Sequence, residues 1–370
     1  MTTSTPRDIE RCVAAAGHWA RKELAGADLG DRNFVALGLF KGLTAFHTVG
    51  DAASAERLLR ALQSFDSSGG DFHPSSPAPP LGTLLRHPSH PGSTAYARAF
   101  QGPLDLMRTY RNAWFVMGLR QLGAHALAEP AAERLERELS AELGAAPHMD
   151  TVDPAARVYD LGTSAIAVLA LLAAGRRRAA ERAGQFMSHM LLEQPADAPS
   201  LCFAQDGQGR FIERENVQGK IARGLYFFDV GQPGQTYWLM GIALRAFAAL
   251  HAATGKARWL EPAERIRTWL ERSHPERVAS ITCAKVGWGS AGMFEQTGDE
   301  RWRALSESVL DYLVRTQSSV GIWVRPEFRT PWLQPLAVSL DTTLERLYYV
   351  AAIQSALSPS HRDKRDRRPE

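Results

Sequence analysis

Two stretches, Thr254-Gly255-Lys256-Ala257-Arg258-Trp259 and Thr297-Gly298-Asp299-Glu300-Arg301-Trp302, repeat one pattern, Thr-Gly-x-x-x-Trp, at an offset of 43 residues. The same offset carries Trp269-Leu270 onto Tyr312-Leu313. Each copy follows an apolar run and precedes an amphipathic one rich in Arg and Glu. The unit therefore reads as helix, tight turn, helix. Gly suits the turn because the position just past a helix takes a left-handed backbone that a Cβ disfavours. Repetition at this period marks an architecture in which each unit buries one face against its neighbours.

Weaker copies of the turn stand at Gly50-Asp51, Gly123-Ala124 and Gly175-Arg176. Gln194 falls 19 residues after Gly175, as Gln317 does after Gly298. That makes five hairpins, and a sixth would pair the last helix, near 335–357, with the first, near 6–24. About twelve helices then alternate between an inner and an outer layer, an all-α, (α/α)6 toroid. The first helix of each hairpin (162–174, 237–250, 286–294) is apolar nearly all round, as an inner helix must be. The second (261–272, 300–313) keeps one wet face. Long irregular connections at 66–95 and 195–235 are expected over the end of the ring where inner helices begin.

The length of 370 residues is used by this ring as a single domain over 1–358, followed by a basic, solvated tail at 359–370. With 43 Lys plus Arg against 40 Asp plus Glu, the net charge of +3 gives no reason to expect nucleic acid or an anionic membrane. Three distant cysteines, Cys12, Cys202 and Cys283, form neither a disulfide framework nor a zinc motif. The start lacks an apolar signal core, and the run 161–174 is too short to span a bilayer. A cytoplasmic protein with a small-molecule substrate, and no metal or cofactor, is expected.

Tyr312-Leu313-x-x-x-Gln317-x-x-x-Gly321-x-Trp323 resembles the repeat of squalene and terpenoid cyclases, where an outer helix ends in Gln and a loop closes with Gly-x-Trp. Gly70-Asp71-Phe72 and Gly209-Arg210-Phe211 are fainter copies. Such glycine-aromatic endings are also similar to those of six-hairpin carbohydrate enzymes, the sugar 2-epimerases and unsaturated glucuronyl hydrolases. Lys285-x-x-Trp288 followed by Thr297-Gly298-Asp299 is similar to an epimerase pattern. The chain also departs from these families. Asp160-Leu161-Gly162-Thr163 keeps one carboxylate of the cyclase Asp-x-Asp-Asp, and no acid follows Trp288 at Ser290 or Ala291.

Side chains at the inner helix starts should converge on one funnel. Asp160 and Asp341 are the carboxylate candidates for acid/base work, with Tyr237 an alternative proton donor. The plainer reading of Asp160 is a cap of the helix that follows it, a role Asp fills readily. Asp341, inside an apolar stretch, must face the funnel or be paired, with Arg346 or another neighbour. Trp288 is expected as a stacking platform, and Trp238, Trp332, Lys285, Arg111 and Arg214 as substrate contacts, with Lys285 alternatively a snorkelling surface lysine and Arg214 alternatively solvated. Trp259, Trp269 and Trp302 read instead as packing anchors on outer helices. His87-Pro-Ser-His90 and His73 read as a solvated loop. Gly287-x-Gly289-x-x-Gly292 matches a dinucleotide fingerprint by letter but follows no strand, so it reads as close helix packing.

Three functions fit this reading. The first is a carbohydrate-processing enzyme of hydrolase, epimerase or lyase type. The second is a terpenoid-cyclase-like enzyme with a dry, aromatic cavity. In the third, a binding protein, Asp160 would cap a helix and Asp341 would be ion-paired.

Overall fold

The computed structural model describes residues 4–65, 69–72, 107–148, 157–217, 220–326, 328 and 330–358. The site candidates His73, His87 and His90 and the tail 359–370 lie outside them. Helices run in the order α1 (Pro6–Gly26), α2 (Arg32–Gly38), α3 (Gly42–Thr48), α4 (Ala52–Ser64), α5 (Arg108–Gln121), α6 (His125–Glu138), α7 (Leu161–Ala173) and α8 (Arg177–Leu192). They continue with α9 (Lys220–Tyr226), α10 (Trp238–Thr254), α11 (Leu260–Arg272), α12 (Ala284–Thr297), α13 (Glu300–Thr316) and α14 (Leu336–Leu357).

The inner layer is α3, α5, α7, α10, α12 and α14, each packed on the next, with α14 returning to α3. That return closes the ring. The outer helices α4, α6, α8, α11 and α13 each pack on the inner partner that precedes them, and α1 lies on α14. The expected terminal pair is therefore present.

The repeat has a physical basis at each letter. Gly255 and Gly298 end α10 and α12 at φ +66° and +70°, the left-handed region. Gly50, Gly123 and Gly175 share it. Thr254 Oγ1 donates to the Leu250 carbonyl and accepts from the backbone N–H of Lys256 and the Trp259 indole. Thr297 makes the matching bonds to Met293 and Asp299. Trp259, Trp269 and Trp302 are buried between layers. Truncating a core indole typically costs about 3–5 kcal/mol, so these anchors carry much of the hairpin stability.

Two departures from the sequence reading matter for the site. The first inner helix is broken, as α2 and α3, by Leu39-Phe40-Lys41. Neighbouring groups crowd the break: a Cβ on Gly38 would lie 3.1 Å from the Ala337 backbone, and one on Gly42 2.8 Å from the Leu58 side chain. The second connection is not fully irregular. Within 195–235, β2 (Ser200–Cys202) pairs antiparallel with β4 (Phe227–Asp229), and β3 (Ala204–Gln205) pairs with β1 (Tyr159–Asp160). Gln194 anchors this flap, donating to the Cys202 carbonyl and accepting from its N–H.

Candidate active site

Side chains from three inner helices meet in one charged cluster. The break after α2 places Lys41 at the start of α3, where its ammonium lies 2.8 Å from both Asp341 and Glu345 of α14. Lys285, on the first turn of α12, reaches Glu345 at 2.5 Å. Asp341 and Glu345 stand one helical turn apart and so share a face of α14. The two ammonium groups and two carboxylates balance.

Burial sets the protonation states. Burial alone would raise the Glu345 carboxyl, but Lys285 and Lys41 reverse this and hold it well below the usual carboxylate range. Burial likewise opposes the charge on Lys41, yet Asp341 and Glu345 hold it above its ordinary value. Glu345 is therefore an anion at neutral pH. Asp341 is the more open of the two acids, with 25% of its side chain exposed against 16% for Glu345.

Aromatic rings surround the cluster. The Lys285 ammonium lies 5.3 Å from the Trp238 ring and 5.6 Å from Tyr349, and that of Lys41 lies 4.5 Å from Phe40. The buried Arg111 faces the same Phe40 ring at 6.0 Å. Tyr110 meets Trp238 edge-on at 6.0 Å. The ring stack continues through Trp114, stacked on Trp288 at 6.0 Å, with Tyr348 against both. It ends at Arg245, over Trp288 at 5.5 Å and 3.1 Å from Glu295.

The sequence-derived candidates thus separate. Asp341, Lys285, Trp238 and Arg111 come together at or beside the cluster. Trp288 lies in the stack, 2% exposed. Tyr237 is fully buried, edge-on to Phe228 at 5.3 Å, its hydroxyl 3.4 Å from the His274 carbonyl. Arg214 sits on the flap, clamped by two bonds to Asp229 and one to Ser200. Trp332 stands on the outer lip, 65% exposed. Arg346 donates to the Ile281 carbonyl, and the partner of Asp341 is Lys41 instead.

Asp160 caps α7, accepting from the Thr163 N–H at 2.9 Å, and its other oxygen lies 2.7 Å from His148 Nδ1. Burial pushes its carboxyl up, but His148 and Thr163 together bring it below the ordinary value. The Nε2 of His148 is buried without a hydrogen-bond partner. Lys41, Glu345 and His148 are the functional candidates the sequence reading missed. Glu345 had a usable signal, a second carboxylate four residues after Asp341 inside an apolar helix. Lys41 had none, because its partner Asp341 lies 300 residues away.

With the geometry described, likeness to solved structures can be stated. An α-mannanase of the GH76 class from Bacteroides thetaiotaomicron is 14% identical, covers 92% of this chain and 96% of its own, and superposes with a TM-score of 0.55. The unsaturated glucuronyl hydrolase of Bacillus sp. GL1 is 16% identical over 88% of this chain and 85% of that one, TM-score 0.55. A D-mannose isomerase is 11% identical over 67% and 72%, TM-score 0.52. The fold is an (α/α)6 toroid. At such identities this toroid's likeness is one of architecture alone. No protein-family model and no curated protein matches the sequence. Among the described residues, no helix of the toroid is long and apolar enough to cross a membrane.

Proposed function

We propose that this toroid is a carbohydrate-processing enzyme that abstracts a proton from a sugar, of epimerase, isomerase or lyase type. The observation that carries the reading is the Lys41–Asp341–Glu345–Lys285 cluster beside the Trp238 ring. A sugar lying on Trp238 would place the carbon next to its carbonyl or carboxylate near Asp341. Asp341 takes the proton, and a lysine ammonium stabilises the oxyanion that develops. Glu345 holds both ammonium groups in place. The proton then returns to carbon in an epimerase or isomerase, or the neighbouring C–O bond breaks in a lyase. Hydrolysis of a glycoside would instead need a protonated carboxyl beside the leaving oxygen, and the cluster offers carboxylates bound to ammonium groups. Four charged groups also speak against a dry cavity for an isoprenoid substrate.

The test is solvent exchange at the sugar C2 in deuterated water, together with ultraviolet absorbance of a new double bond, on mannose, unsaturated glucuronyl disaccharide and alginate. Wild type should turn over one of them, and Asp341→Asn should lose at least a hundredfold. Unchanged turnover in Asp341→Asn overturns the mechanism. A second reading, sugar binding without chemistry, is favoured by the capping role of Asp160 and the ion pairing of Asp341. It is supported if calorimetry shows wild type binding a sugar that it does not change.

A further inference from the structure

Among the described residues, two large apolar side chains are more than a third exposed, Val320 at 37% and Trp332 at 65%. Both line the same groove, a space of about 240 Å³ between the second half of α1 and the segment that enters α14. Trp19 forms part of its wall, and His18, Lys22 and Glu23 of α1 bring hydrogen-bonding groups of both charge signs. An exposed indole flanked by such groups has the chemistry for a pyranose ring. The ring's C–H face lies on the indole, and its hydroxyls reach charged donors and acceptors. A site for a lipid chain would be expected to be apolar throughout, and this groove also carries His18, Lys22 and Glu23.

The groove lies at the same end of α14 as the candidate active site. Leu336 and Ser339 of α14 line it, and Asp341, two residues on, enters the Lys41 cluster. At about 1.5 Å rise per residue, the groove and the cluster sit at the same level of α14, on different faces. We propose that the Trp332 groove is an accessory saccharide subsite at the lip of the funnel, binding one unit of a sugar chain whose reacting unit lies at the cluster. The assignment rests on the carbohydrate reading above, and it narrows the substrate from a free monosaccharide to an oligo- or polysaccharide.

Affinity electrophoresis of the full chain in gels containing α-mannan or alginate tests it. Wild type should be retarded in one of them. Trp332→Ala should lose at least fivefold in apparent affinity while its thermal midpoint stays at the wild-type value, because the side chain is exposed. Asp341→Asn should remain retarded, since the groove is separate from the reacting groups. Lys22→Ala should weaken retardation in the same direction as Trp332→Ala. Equal retardation of wild type and Trp332→Ala overturns the subsite and leaves the carbohydrate reading standing. Absence of retardation in either polysaccharide, with turnover of a free sugar, overturns the subsite and supports a monosaccharide enzyme. A dimer in sedimentation that Trp332→Ala dissociates assigns the groove to a second copy of the chain and overturns the proposal.

Discussion

Lys41 and Asp341 lie 300 residues apart in sequence and 2.8 Å apart in the fold. The pair joins the first inner helix to the last, so the bond that closes the ring is also a bond of the candidate site. Stability and chemistry are coupled there, and the first two expectations follow from that.

Removing one member of a buried ion pair leaves its partner charged and uncompensated, which costs about 3–5 kcal/mol. Lys41→Met should lower the free energy of urea unfolding by that amount, because Asp341 and Glu345 both lose a partner. A loss below about 1 kcal/mol, the range of exposed pairs, would show that water already screens the cluster.

The pH dependence has a defined sign. Glu345 has a folded-state pKa below its ordinary value of 4.5, so its contribution is present above that value and is lost as the pH falls further. Lys41 is raised above 10.5, so its contribution is present below that value and fades only at more alkaline pH. Thermal midpoints should therefore fall on acidification below about pH 4.5. Glu345→Gln, less stable at neutrality, should show a shallower acid slope. An unchanged slope would remove Glu345 as its source.

At α7 the expected behaviour is that of a cap. Asp160→Ala should cost about 0.5–2 kcal/mol for the lost bond to Thr163, and more for the loss of the His148 contact. His148→Asn keeps a donor near the Nδ1 position while deleting the unpartnered Nε2, and should be milder than Asp160→Ala in urea titration. The reverse order would mean that Asp160 is held by something other than these bonds.

Two glycines of the repeat should respond unequally to Ala. Gly255, at φ +66° with open space around it, should lose about 1–2 kcal/mol from the left-handed backbone alone. Gly321, at φ +91°, would bring a Cβ to 2.6 Å from the Ala15 carbonyl oxygen, so its loss should be the larger. Differential scanning of the two variants checks the order.

The ring was legible because its signals are local. Glycines past five of the six inner helices take the left-handed backbone that a tight hairpin needs, and in the two clearest copies a buried Trp follows at a fixed spacing. The Gln317-to-Trp323 motif is local in the same way: Gln317 donates to the Gly321 carbonyl and to Cys12, while the Trp323 indole donates to Leu313. The charged cluster was legible only in part. Asp341 stood out as an acid in an apolar helix, but Lys41 lies in a short apolar run and its partner on α14 stands 300 residues away. Asp160 left two roles open in the sequence, and the capping geometry is visible only once Thr163 and His148 are placed. Trp332 was read as a funnel residue because of its position before an inner helix. A residue at the lip and one at the floor share that position in sequence and differ only in which way the connecting turn faces.

The groove residues also carry a topological consequence. The second half of α1 and the start of α14 line one groove, so the two helices run antiparallel, and Pro6 and Leu357 both lie toward the other end of the ring. A closed circuit of this kind has no privileged opening point. A permuted chain, joined across those ends by a short flexible linker and cut open at the Gly175 turn, should rebuild the same circuit with Lys41 and Asp341 brought near one another in sequence. Folding order would change while the finished site would not.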